Sequence, residues 1–178
     1  KASWVVFTTT MNFAFWTPKN GVPFTVTANG KPQTGFRSLL AVVLRSLETS
    51  KDILDPLFWM NGTDKQWGEI FRSETSTPIH LFSERIAAIR EVGKFIVENH
   101  QGKVIEFIKS AGNSAAKLVK ILYTNFVSYR DIHQYKGRNV LILKRAQIMP
   151  GDLYLAFDKD TSPEAQVCHF TDLAELTM

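Results

Sequence analysis

Three aromatic side chains lie beside an amide near the start of the chain, in the segment Asn12-Phe13-Ala14-Phe15-Trp16. Aromatic residues at this density usually belong to a hydrophobic core. The alternative is a stacking slot, in which the rings contact the face of a flat heterocycle and Asn12 hydrogen-bonds to its edge. Both interpretations stay open on these residues alone, and the second makes the segment a candidate binding site.

A carboxylate beside a cation follows a long apolar helical pattern, in the segment 128–135 (SYRDIHQY). Arg130 and Asp131 could form a surface ion pair that contributes little to stability. Alternatively, Asp131 projects from the end of the helix into a pocket, where partial burial adjusts its pKa for catalysis. The segment is therefore a second candidate site.

Two adjacent cations, Lys144 and Arg145, come directly after an apolar run. Such a pair is normally solvated, but if the run is buried one head group could instead face a phosphate. Two further carboxylates, Asp152 and Asp172, each precede a predicted helix, where aspartate is a common N-cap. Together these residues describe a pocket that contains aromatic rings, carboxylates and cations.

The motifs of the common nucleotide-binding and metal enzymes are absent from the sequence. It contains no phosphate loop, no GxGxxG, no HExxH and no nucleophile elbow. The histidines show no i, i+4 pair, and the single cysteine, Cys168, excludes a zinc cluster built on cysteines. We therefore expect neither a metal nor a cofactor.

The composition is that of an ordinary globular protein of 178 residues, with 44% hydrophobic residues. No apolar run is long enough to span a membrane. The net charge of +4 falls short of the basic face that a duplex-binding protein needs, so no stable nucleic-acid complex is expected. The low cysteine content and the lack of a signal-peptide pattern favour a cytoplasmic location.

The elements that must position these groups are mostly helical. Composition predicts strands over 3–16 and 22–28, with a turn at Asn29-Gly30. Helical spacing of apolar residues predicts helices over 36–47, 64–71, 79–100 and 103–110. A further long helix is predicted to be capped by Asn113 or Ser114 and to have apolar residues up to Phe126. The prediction is a mainly α fold with a small β element.

Four further local predictions concern helix caps, an apolar run and the position of one arginine. Asp52 is predicted to cap a short helix that ends at Asp55-Pro56, and Asp152 to cap a helix over 153–157 after a break at Pro150-Gly151. The run 139–143 is predicted to be a buried strand or a short helix. In the helix over 79–100, Arg85 is placed off the apolar stripe.

Eight segments of the chain, taken in order, match the pattern of one known family. The most specific are 85–94 (RIAAIREVGK) and 144–148 (KRAQI). The others are 11–16 (MNFAFW), 34–40 (TGFRSLL), 114–119 (SAAKLV), 126–131 (FVSYRD), 135–137 (YKG) and 176–178 (LTM). In these segments the sequence resembles the queuosine salvage family, whose members are queuosine 5'-monophosphate N-glycosylases.

The resemblance implies a fold like that of helical DNA glycosylases, as a single glycosylase-like domain over 1–178 that is truncated at both ends. It implies hydrolysis of queuosine 5'-monophosphate to queuine and ribose 5-phosphate, so that the base can be reused in transfer-RNA modification. The family often has an aspartate at the position of Thr9, and it continues past Leu176-Thr177-Met178 with a further aspartate, tyrosine and arginine.

Such a reaction builds positive charge on the ribose in an oxocarbenium-like transition state, which a carboxylate can stabilise without a metal. Within the resemblance, Asp131 is the first candidate for this carboxylate and Asp172 the second. The remaining roles belong to the substrate. Phe13 and Trp16 would stack on the base. Asn12 and Tyr135 would bind the polar groups of the base, and Arg130 and Lys144 would bind the 5'-phosphate.

Two other functions remain possible on the sequence. One is a base-excision glycosylase that acts on polynucleotide, which would need a basic face and an inserted wedge. The other is a non-catalytic helical binding module whose aromatic residues are simply core. We expect the protein to be a monomer.

Overall fold

The computed structural model describes residues 1–17, 21–50 and 52–157. This part of the chain contains eight α-helices and two antiparallel hairpins, which confirms the mainly α class with a small β element. The helices are α1 (Ala2–Met11), α2 (Gly35–Thr49), α3 (Pro56–Asn61), α4 (Asp64–Ile70), α5 (Phe82–His100), α6 (Val104–Lys109), α7 (Ala115–Asn125) and α8 (Lys144–Phe157). The strands are β1 (Val26–Ala28), β2 (Lys31–Gln33), β3 (Ile132–Tyr135) and β4 (Arg138–Leu141).

The chain divides into two compact units. The central unit comprises Thr10–Gly102, and the terminal unit combines Lys1–Thr9 with the chain from Lys103 onward. The single domain predicted over 1–178 stays a prediction.

Helix α5 supplies much of the core of the central unit. Ile86, Ile89 and Ile96 are almost completely buried along one face, as the apolar spacing predicts. Gly93 lies on the same side, and a Cβ atom there would lie only 2.6 Å from the Cβ of Trp59. Helices α3 and α5 therefore approach so closely at this point that only glycine fits.

The first hairpin turns at Asn29-Gly30, as predicted. Both residues have positive φ, 52° and 70°, which matches the turn that Asn-Gly favours between two short strands. The carboxylate of Glu74 accepts hydrogen bonds from the backbone N–H and the hydroxyl of Thr27, at 2.6 and 2.7 Å. These bonds, the hydroxyl first, lower the pKa of Glu74 and attach the segment after α4 to β1.

The strand predicted over 3–16 is wrong, because residues 2–11 form helix α1. Its valine, phenylalanine and threonine residues favour strands locally. However, Val6, Phe7 and Met11 are fully buried, and the hydroxyl of Thr9 donates to the carbonyl of Val5 at 2.7 Å. Burial of the helix on nearly every side outweighs this local preference for a strand. It also means that the segment has no polar face recurring every 3.6 residues, which is the pattern that would have indicated a helix.

The core of the terminal unit includes a chain of aromatic contacts. The Phe107 and Phe126 ring centroids are 6.2 Å apart, and those of Phe126 and Tyr129 are 5.9 Å apart. Helix α7 begins where predicted, because the Ser114 side chain accepts the backbone N–H of Lys117.

The short helix predicted at Asp52 is a single 3-10 turn over Asp52–Leu54, and it ends just before Asp55-Pro56, as predicted. Asp55 also begins α3, since its carboxylate accepts the N–H of Leu57 and Pro56 occupies the first helical position.

The cap predicted at Asp152 is wrong. Asp152 is not an N-cap, because α8 begins at Lys144 and continues through Pro150. A proline inside a helix loses one hydrogen bond, and here the surrounding residues are buried and hold the helix together.

The run 139–143 was predicted to be buried, and this is wrong. It contributes strand β4, but Val140, Leu141 and Ile142 are 38%, 53% and 48% exposed. In the described residues β4 pairs with β3 alone, so both faces of this two-stranded ribbon remain open. Within the same residues, no helix combines the length and the apolar character needed to cross a bilayer.

Candidate functional site

The aromatic segment 12–16 is held by one buried arginine of α5. Arg85 has no exposed surface, and its Nε donates to the carbonyl of His80 at 2.9 Å. Its two terminal nitrogens donate to the carbonyls of Met11 and Phe13, and one of them also donates to Ala14 at 3.0 Å. A single guanidinium therefore binds the end of α1, the aromatic segment and the residues that precede α5.

The rings of the aromatic segment differ in their surroundings. The Phe13 and Phe15 rings each lie 4.5 Å from the guanidinium carbon of Arg85, a distance that permits cation–π attraction. Trp16, by contrast, is 74% exposed. The phenylalanines thus contact Arg85, whereas the indole faces outward and is available to a ligand.

Next to this segment the central unit contains a pocket of about 390 Å³, which we call the aromatic pocket. Phe15 and Trp16 line it on one element, and Ser83 and Glu84, in the first turn of α5, line it on another. Other polar lining groups include Ser38 and His80. Such a combination of aromatic faces and hydrogen-bonding groups suits a small flat molecule.

In the terminal unit, Asp131 is bound to the start of α8. Its Oδ2 accepts the backbone N–H of Arg145 at 2.9 Å, and its Oδ1 lies 3.4 Å from the Nε of Arg145. Both side chains are largely buried, at 26% exposure for Asp131 and 18% for Arg145. The carboxylate therefore both caps the helix and pairs with the arginine, so it is held in a fixed orientation.

The other candidate residues of the terminal unit are more exposed. Arg130 donates to the carbonyls of Tyr123 and Thr124, at 2.9 and 2.8 Å, close to the end of α7. Tyr135 lies on β3 and is 62% exposed. Lys144 is the first residue of α8 and is also exposed.

The sequence profile of the family described as "Queuosine salvage protein" matches residues 1–178. The chain belongs to this family.

Curated members of the family are similar along nearly the whole chain. The mouse (Mus musculus) protein is 31% identical over 175 residues, which cover 98% of this chain and 50% of the relative. The bovine (Bos taurus) protein is 32% identical, over 99% and 50%. The Sphaerobacter thermophilus protein is 34% identical, over 99% and 51%. Each is named queuosine 5'-phosphate N-glycosylase/hydrolase, and the chain spans about half their length.

The structure brings some of the predicted site residues together. Asn12, Phe13 and Trp16 lie on one segment of the central unit. Arg130, Asp131, Tyr135 and Lys144 lie in the terminal unit, where the chain around Asp131 meets the start of α8. Asp172 lies outside the described residues. The aromatic segment is thus the candidate region of the central unit, and the Asp131 region is the candidate region of the terminal unit.

Sequence reasoning missed Arg85, whose predicted place off the apolar stripe is wrong. Its spacing carries the signal: residues 85, 89, 92 and 96 lie four, three and four apart, and all four are buried. It also missed Glu84, which lines the aromatic pocket. No sequence signal distinguishes Glu84 from an ordinary acidic residue in the first turn of a helix.

Asp152 is a further carboxylate whose surroundings differ from those of a surface aspartate. It lies inside α8 between the buried residues Gly151 and Leu153. Burial raises the pKa of Asp152 above its ordinary value. In the described part of the chain, no group of three or more His, Cys, Asp or Glu side chains is placed to hold a metal ion.

Proposed function

We propose that this protein hydrolyses the N-glycosidic bond of queuosine 5'-monophosphate, giving queuine and ribose 5-phosphate for salvage into transfer-RNA modification. One observation carries the proposal. The family profile matches the whole chain, and the relatives named queuosine 5'-phosphate N-glycosylase/hydrolase resemble it over nearly all its length. In this reaction the ribose gains the hydroxyl of water and the departing base gains its proton.

The chemistry needs a carboxylate near the anomeric carbon and hydrogen bonds to the base. Positive charge develops on the ribose as the bond breaks, and a carboxylate stabilises it and orients the attacking water. Queuine is a 7-deazaguanine, so carbon replaces the ring nitrogen at which a departing purine is usually protonated. The base is therefore a poor leaving group and depends on hydrogen bonds to its edges. We propose that neither metal nor cofactor takes part.

Asp131 is the proposed catalytic carboxylate. The hydrogen bond from the Arg145 N–H supports this role, because a carboxylate that acts on a developing charge must already be oriented before the reaction begins. Its partial burial also supports the role, since a charge acts more strongly where water is excluded. Asp172 is the second candidate.

The remaining predicted residues are proposed to bind the substrate. Trp16, exposed in the aromatic pocket, would stack on the base with Phe13, and Asn12 and Tyr135 would bind its polar groups. Two cations of the terminal unit are proposed for the 5'-phosphate, Arg130 and Lys144. The position of Lys144 at the start of α8 supports this, because the positive end of a helix dipole also attracts anions.

We further propose that the protein acts as a cytoplasmic monomer on the free nucleotide, without a stable nucleic-acid complex or a membrane partner. The alternatives of a polynucleotide glycosylase and a non-catalytic module have no specific observation in their favour.

The test is to incubate the full-length protein with queuosine 5'-monophosphate and to follow free queuine by mass spectrometry. We expect release by the wild type and none by Asp131→Asn, whose amide oxygen can still accept the Arg145 N–H and preserve the fold. Asp64→Asn is the matched control, since Asp64 also pairs with an arginine, Arg90 at 2.7 Å, but on an exposed surface. It should keep full activity.

The possible outcomes distinguish a wrong role for Asp131 from a wrong function for the protein. Release by Asp131→Asn as well as the wild type would leave the function standing and contradict the role of Asp131. No release by a folded wild type, checked by circular dichroism, would refute the proposed function.

A further inference from the structure

The charged side chain that lines the aromatic pocket is negative. Among the described residues that line it, Glu84 is the single carboxylate, and none is a lysine or arginine. The other polar lining groups are hydroxyls and the imidazole of His80. The neighbouring cation, Arg85, is buried against the Phe15 ring and donates its hydrogen bonds to backbone carbonyls. The accessible charge of the lining is therefore that of Glu84, which favours a cationic group over a phosphate.

The rings of the pocket favour the same kind of ligand. Trp16 presents an exposed indole, which stacks on flat heterocycles and also attracts cations through its face. The volume of about 390 Å³ is adequate for a small heterocycle with one substituent. An acidic residue in the first turn of α5 is favoured by the helix dipole alone. The dipole does not explain why this carboxylate lines the same pocket as an exposed indole.

The walls of the pocket are tied together before any ligand binds. Arg85 donates to Ala14, which lies between two rings of the aromatic segment, and to His80, which lines the other side. Both bonds come from one buried guanidinium, so the aromatic segment and the start of α5 are held in a fixed relation. A preformed pocket loses less conformational freedom when a ligand binds.

We propose that the aromatic pocket is a binding site for a flat heteroaromatic base that carries a cationic amine, with Trp16 stacking on the ring and Glu84 pairing with the ammonium group. This inference rests on the proposed function, because the queuine base carries such an amine on its cyclopentenediol arm. It makes Glu84 a specificity-determining residue, one that distinguishes queuine from neutral 7-deazaguanines.

The experiment measures binding of two bases to the full-length protein by isothermal titration calorimetry. The probes are queuine, which carries the amine, and 7-cyano-7-deazaguanine, which has the same ring without a cation. We expect Glu84→Gln to weaken queuine binding about 10- to 150-fold, the range for loss of a hydrogen bond to a charged group. Binding of the cyano base should change less than about twofold, since its contacts are with the ring.

Two control variants complete the design. Glu98→Gln removes a carboxylate from the same helix, where it pairs with Lys94 on an exposed surface, and should leave both affinities unchanged. Trp16→Ala should weaken both bases, because each stacks through its ring.

Several results would overturn the inference. They are an equal loss for both bases in Glu84→Gln, no loss for either, and a wild type that binds neither base. If such a result came with release of queuine in the activity assay, the pocket assignment alone would be wrong. If the full-length protein released no queuine while Glu84→Gln discriminated between the bases as expected, the pocket would stand and the hydrolytic function would fall.

Discussion

Replacing Arg85 with methionine should remove the main link between the aromatic segment and α5. Methionine has a similar length but donates no hydrogen bond. The carbonyl of Met11 would then remain buried without this donor, whereas those of Phe13, Ala14 and His80 are only partly buried and can find water. Loss of the contact with the two phenylalanine rings adds to the effect.

The expected magnitude follows from these differences in burial. A fully buried hydrogen bond to a charged group contributes about 1.5–3 kcal/mol, and a partly buried one contributes less. The cation–π contacts add about 1 kcal/mol, and the apolar methionine offsets part of the loss by its own burial. We therefore expect Arg85→Met to lower the free energy of unfolding by about 3–5 kcal/mol, a large share of the about 5–15 kcal/mol typical of a domain. Arg85→Lys should recover part of this, because an ammonium group reaches fewer of the four carbonyls.

Urea denaturation of the full-length protein measures this effect, as a shift in midpoint at an unchanged slope. Arg90→Met is the matched control, since Arg90 lies on the same helix and bonds to Gly62 and Asp64 but is more exposed. It should cost about 1 kcal/mol or less. An Arg85→Met midpoint as close to the wild type as that of the control would refute the reasoning, because the buried bonds would then contribute nothing beyond a surface pair.

Two further predictions concern packing and pH. Gly93→Ala should destabilise the protein by about 1–3 kcal/mol, because its Cβ would lie 2.6 Å from that of Trp59, whereas Gly68→Ala, with open space around it in α4, should stabilise it by about 0.5–1 kcal/mol. Thermal unfolding of both variants checks this pair, and equal shifts would contradict the close helix contact. The pKa of Asp152 is raised in the folded protein, so the folded state binds the proton more tightly and its stability falls as pH rises through that pKa. Asp152→Asn should flatten this fall and be the more stable protein at neutral pH in denaturation measured across pH, and an unchanged pH profile would show that the carboxyl is not desolvated.

The helices that were predicted correctly share one property: each presents a buried stripe and a solvated face. Helix α5 shows it along Ile86 to Ile96, and the start of α7 carries its own cap at Ser114. The signal fails for α1, because Val6, Phe7 and Met11 are buried on several sides and no polar face marks the period. It also fails for β4, whose apolar residues indicate burial although the strand belongs to an exposed ribbon. The spacing of apolar residues indicates a helix only where one face is buried and the other is exposed, so it gives no signal where burial is uniform around the element.

For the candidate site, the sequence likewise shows the local pattern but not the contacts between distant residues. The types of residue that could act on a nucleotide are visible in the sequence at Asp131 and Lys144, because charge beside an apolar run is a local pattern. What holds them is not local: the Asp131 carboxylate meets Arg145, fourteen positions away, only because the hairpin of β3 and β4 returns the chain to the start of α8. Capping of a helix by a residue outside it leaves no mark in a sequence window.

The aromatic segment shows most directly why the two interpretations of its rings could not be separated from sequence. Phe13, Phe15 and Trp16 are within four positions of each other and chemically alike, yet the first two contact a guanidinium that arrives from about seventy residues further along the chain, and the third faces outward. The core interpretation therefore fits the two phenylalanines in part, whereas the exposure of Trp16 leaves the stacking interpretation open. Arg85 accounts for the difference between the rings, because a buried cation with carbonyl and ring partners holds one side of each phenylalanine and leaves the indole exposed, so the stacking of Trp16 and Phe13 on a base stays a prediction.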